Sequence, residues 1–83
     1  MGNVESVIQW AVDTGVWARK ANIRTDGVDT REGLIAWIRL GAEIASPDTR
    51  LGAEILAEVA VIDALGEADR ERVYDAAWRA FQG

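Results

Sequence analysis

A chain with neither histidine nor cysteine has few ways to do chemistry. In these 83 residues the groups that could serve as nucleophile, acid or base are Ser6, Ser46, the threonines, Tyr74, Lys20 and the carboxylates. No spacing among them sets a nucleophile beside a base, and Ser6 and Ser46 sit where helices should begin. Without cysteine or histidine, ordinary zinc, haem and iron–sulfur sites are excluded, which leaves only an all-carboxylate calcium or magnesium site to consider. The best-spaced acids are Glu54 and Glu58, one helical turn apart, a separation at which two carboxylates could share a proton or a divalent ion. Arg50 precedes them on the same stripe, so the triplet reads more simply as a solvated helix face. The eight glycines are scattered, none in a G-x-G-x-x-G or G-x-x-x-x-G-K phosphate-binding context. The expectation is a protein that is not an enzyme and carries no cofactor and no metal.

Binding is what remains, and charge points to one form of it. The net charge is −5. Residues 1 to 42 carry five basic and five acidic side chains, whereas residues 43 to 83 carry four basic against nine acidic ones, so the whole excess lies in the second half. That sign argues against direct nucleic-acid binding, whose affinity comes largely from cations neutralising phosphates. The cluster Arg19, Lys20, Arg24 and Arg31 is the best basic candidate. Cations favoured at a helix C-terminus, with Asp26 and Asp29 close by, account for it. Read the other way, carboxylates about 6 Å apart on a helix approximate the spacing of phosphates along a strand. An acidic face of Glu54, Glu58, Asp63, Glu67, Glu71 and Asp75 would then imitate nucleic acid and meet a protein partner with a basic surface. The plainer account of the same charge is that it keeps a small domain from aggregating.

The indoles point to a second form. Four tryptophans in so short a chain are many, and tryptophan concentrates in the energetic centres of interfaces. Trp10 and Trp17, seven residues apart, share one face of a helix. They could pair with a second copy, making a homodimer or larger assembly module.

These groups must be positioned by helices. Apolar residues recur at spacings of three and four throughout, with strong breaks only at 22–29, at Ser46-Pro47 and at Gly66. The pattern predicts an all-α fold, one domain over 1–83, with helices over about 3–21, 30–45, 47–65 and 67–82. Asn3 should cap the first, Asp29 or Thr30 the second, and Ser46 the third with Pro47 in its first position. Gly66 should close the third helix in a left-handed conformation. Asn22 is a plausible C-terminal cap for the first helix, and 22–29 should be a loop. Gly33 to Ala45, charged only at Arg39 and Glu43, is apolar around most of its circumference, which predicts a central, mostly buried helix with the others packed around it. The arrangement could be an antiparallel bundle or one with tight corners.

No segment is long and apolar enough to span a membrane, and the N-terminus lacks a basic stretch followed by an apolar one, so a cytoplasmic location is expected. Eight arginines against one lysine, with abundant Ala, Gly and Val, suggest a GC-rich coding sequence of bacterial or phage type. In size, acidity and lack of catalytic groups the chain resembles small phage-encoded inhibitors of host defence, anti-CRISPR proteins among them. The resemblance is one of type, carried by no motif. It implies an inhibitor or adaptor that occludes the basic surface of a nucleic-acid-handling complex.

Overall fold

The computed structural model describes residues 4–83. Four helices, α1 (Val4–Lys20), α2 (Arg31–Ile44), α3 (Arg50–Ala64) and α4 (Glu67–Gln82), make an all-α fold. The expected cap at Asn3 lies outside the described residues. The radius of gyration, 12.0 Å, is close to the roughly 12 Å of a folded domain of this length.

The tightest packing joins α1 to α4, because Gly15 on one and Ala77 and Ala80 on the other let the backbones approach at the crossing. Val7, Ala11, Gly15 and Ala18 of α1 are buried against a face of α4 built on Val73, Tyr74, Ala77 and Phe81. At Gly15 the backbones come so close that a Cβ would strike the Ala77 carbonyl oxygen and the Ala80 side chain. The two helices are parallel: Arg72 pairs with Glu5 at 3.6 Å at one end, while Arg19 lies beside Gly83 at the other. Parallel helix dipoles repel, and the sequence offsets this with Glu5, Glu67 and Asp69 in the first turns and Arg19, Lys20 and Arg79 in the last. Strict up-and-down alternation would make α1 and α4 antiparallel, so the chain turns corners instead.

One corner follows α1. Asn22 takes the left-handed conformation (φ 58°), and its carbonyl accepts from the backbone N–H and hydroxyl of Thr25, which opens a 3₁₀ turn over Ile23–Asp26. Gly27, at φ 95°, ends that turn, and Ile23 and Val28 anchor the segment in the core. Thr30 then caps α2, its hydroxyl accepting from the Gly33 N–H at 3.0 Å.

The next corner corrects the expected start of α3. Ser46 does not cap it and Pro47 is not its first residue. The Ser46 carbonyl accepts from the Thr49 N–H at 3.3 Å, which closes a turn with Pro47 second, the position its fixed φ suits. Thr49 becomes the cap, accepting from the Gly52 N–H at 2.9 Å, and the helix begins at Arg50. Gly66 is a second correction. Its φ of −66° is extended, not left-handed. A link of only Leu65 and Gly66 must pass straight from α3 into α4, and Gly66 serves as the residue before the α4 start.

Burial overturns the expected role of α2. Only Leu34 and Ile38 are buried in it, while Leu40 and Ile44 stand in solvent. The best-covered helices are α1 and α4, with four buried residues each. Helix α2 is apolar nearly all round, but a chain this short has too few elements to cover every side of it.

A candidate docking groove

The uncovered apolar surface is gathered in one place. The second face of α1 turns Trp10, Thr14 and Trp17 toward α2 and α3. From α2 come Trp37, Leu40 and Ile44, and from α3 Leu51 and Ile55. Between them runs an open groove of about 650 Å³. Four large apolar side chains are exposed among the described residues: Trp17 (60%), Leu40 (53%), Ile44 (77%) and Leu51 (67%). All four line this groove.

Local structure fixes its walls. The Trp17 and Trp37 rings stack with centroids 5.7 Å apart and planes inclined by 23°, tying the end of α1 to the middle of α2. The Ser46–Thr49 turn sets the angle between α2 and α3, which keeps Ile44 and Leu51 on the same side. Gly41 leaves open space: nothing lies within 4 Å of where its Cβ would stand. The charged residues of the lining are Asp13 and Glu54, both acidic.

The acidic residues singled out in the sequence are distributed differently. Asp63 receives both terminal nitrogens of Arg39, at 2.7 and 3.3 Å, and Arg39 also donates to the Tyr74 hydroxyl at 3.3 Å. The Arg39 hydrogen bonds hold the Asp63 carboxyl below the usual carboxylate range. Glu71 and Asp75 both bind Arg31, at 3.1 and 2.8 Å, and so pin the start of α2 to α4. Glu67 shares a shallow depression with Ile35, Arg39, Asp63, Arg70, Glu71 and Tyr74. Glu54 stands apart, on the groove. Glu58, one turn beyond it, is half-buried, and that burial together with the Glu54 charge raises its pKa. Three of the six acids thus hold helices together through arginines of the same chain.

The basic cluster is likewise divided. Arg31 is drawn to α4, whereas Arg24 lies over the Phe81 ring, 4.8 Å from its centroid. Trp10 and Trp17 both line the groove, and Trp37, within the 33–45 segment expected to be mostly buried, joins them there. The signal for Leu40, Ile44 and Leu51 was present as a surplus: α2 and α3 hold more apolar positions than their neighbours can cover. Among the described residues no group of three carboxylates is placed to hold a metal ion. Nor, among the described residues, is any helix long and apolar enough to cross a membrane. Comparison with protein-family models, with curated proteins and with solved structures gives no match.

Proposed function

We propose that this chain is a small, acidic, non-enzymatic binding protein that covers an amphipathic helix of a larger protein, and so acts on it as an inhibitor or adaptor. One observation carries the reading: every large exposed apolar side chain among the described residues lines a single groove. Scattered apolar residues are ordinary on protein surfaces, but a contiguous patch built from three helices is a mark of an interaction site. Grooves walled by helices take amphipathic helices, whose anchors at i, i+3, i+4 and i+7 fill them.

Charge selects among occupants. A second copy would bring its own Asp13 and Glu54 to the same face, on a chain of net charge −5. Like charges set against each other oppose association, so a partner with basic residues fits better than a homodimer. This keeps the basic protein partner expected from sequence and moves the point of contact. The anionic strip of α3 and α4 supports contact less well, because Asp63, Glu71 and Asp75 each already face an arginine. If the covered helix belongs to a nucleic-acid-handling protein, the basic residues beside its apolar stripe are those that would meet phosphates, and covering them blocks that contact.

The reading is tested by selecting from a displayed library of helical peptides with a fixed apolar stripe and randomised flanks, against the native chain and against Ile44→Asp. Ile44 is exposed, so the variant keeps the fold while placing a charge in the groove. Peptides that bind the native chain and lose at least tenfold with Ile44→Asp, and also with the groove-filling Gly41→Leu, are the expected result. Equal recovery on all three proteins overturns the proposal. Concentration-dependent doubling of the native mass, abolished by Ile44→Asp, would assign the groove to a second copy instead.

A further inference from the structure

The groove has a chemical feature that apolar docking alone does not use. Trp37 stacks on one face of the Trp17 indole, and Trp17 is still 60% exposed, so ring surface remains for a partner. Asp13 precedes Trp17 by one helical turn, the spacing at which side chains on a helix surface are neighbours, and both residues line the groove. Asp13 Oδ1 accepts from Gln9 Nε2 at 3.1 Å, which leaves Oδ2 able to accept from a partner. On the opposite wall stands Glu54, and no lysine or arginine is among the lining residues.

From this juxtaposition we infer that the partner helix carries an arginine or lysine directly beside its apolar stripe, its cation lying on the outer face of Trp17 and paired with Asp13, and a second basic residue on the other flank facing Glu54. The inference rests on the docking reading above and names the chemistry of what docks. An indole face attracts a cation through its quadrupole, and a planar guanidinium can stack there while donating edge-on to a carboxylate. On the far wall, burial disfavours the charge on Glu58, and Glu54, one turn away, adds repulsion. A cation at Glu54 relieves that repulsion. Binding therefore places positive charge where the unbound molecule has an excess of negative charge, on both edges of an apolar floor.

The test reads the flanks of peptides selected from the same library, then compares one binder with its copy in which the flanking arginine is citrulline, a neutral residue of the same shape. Enrichment of Lys and Arg on both flanks is expected, with a loss of about tenfold on the change to citrulline, contributions of order threefold each coming from the ring and the carboxylate. That arginine-to-citrulline ratio, taken within each variant so that any change in apolar docking cancels, should shrink to about threefold in Asp13→Asn and in Trp17→Leu. Flanks that are neutral or acidic, or a citrulline peptide that binds as tightly as the arginine one, overturn the inference and leave the docking groove standing. Failure of all peptides to prefer the native chain over Ile44→Asp removes the groove itself.

Discussion

Asp63 and Glu58 are carboxylates of one helix, five residues apart, and their surroundings move them in opposite directions. The hydrogen bonds from Arg39 favour the charged form of Asp63, whereas burial and the nearby Glu54 favour the neutral form of Glu58. A depressed pKa contributes stability that is complete above the unfolded value of about 3.9 and is lost as pH falls through the folded value. A raised pKa works the other way: the Glu58 contribution is complete at acid pH and is lost as pH rises through the folded value, which lies above about 4.3. Asp63→Asn should therefore lower the melting temperature at pH 7 and have little effect near pH 2.5, at a cost of about 0.5–1 kcal/mol for a bidentate pair half open to water. Glu58→Gln should raise the melting temperature at pH 7, with the gain shrinking toward pH 3.5. Melting curves of the two variants across that range check both signs, and parallel curves for both would refute the assignment. None of this pairing is legible in sequence, since Arg39 and Asp63 are 24 positions apart on different helices.

At the scale of elements, the close approach of α1 and α4 is the most demanding feature of the fold. Gly15→Val would drive a branched side chain into the Ala77 carbonyl and Ala80, so the pair must spread, at a cost of about 2–3 kcal/mol. Denaturant titration measures it, and a variant as stable as the native chain would contradict the packing. Thr49→Ala should cost about 1 kcal/mol by removing the cap on the Gly52 N–H, whereas Ser46→Ala, which leaves that cap in place, should cost less. The helices themselves were legible because apolar spacing is a local property. The start of α3 was not. Ser46 and Thr49 are both good caps, and only the turn closed by the Ser46 carbonyl decides between them. Gly66 was misread for a related reason: a left-handed glycine is the common way to end a helix, but a two-residue corner needs extended backbone.

The whole molecule is a thin body, 36 × 31 × 16 Å, and its thinness explains the misplaced centre. Residues 33–45 look in sequence like a helix that must be surrounded, and periodicity cannot say whether neighbours exist to surround it. Here α1 and α4 pair tightly with each other, α3 covers one side of α2, and the remaining side becomes the wall of the groove. The tryptophan face of α1 was legible as a candidate surface, while its continuation into α2 and α3 depends on the corner at 45–49. Apolar surplus, exposed indole and acidic edges converge there, which fits the groove to a basic amphipathic helix. The four indole N–H signals of the chain report on it most directly. Trp10, Trp17 and Trp37 line the groove, whereas Trp78 packs against Phe81 away from it. On titrating an arginine-flanked helical peptide into the labelled protein, the first three signals should shift and saturate together while Trp78 holds still. Saturable binding that moves Trp78 alone, or leaves Trp17 and Trp37 unmoved, would contradict docking in the groove.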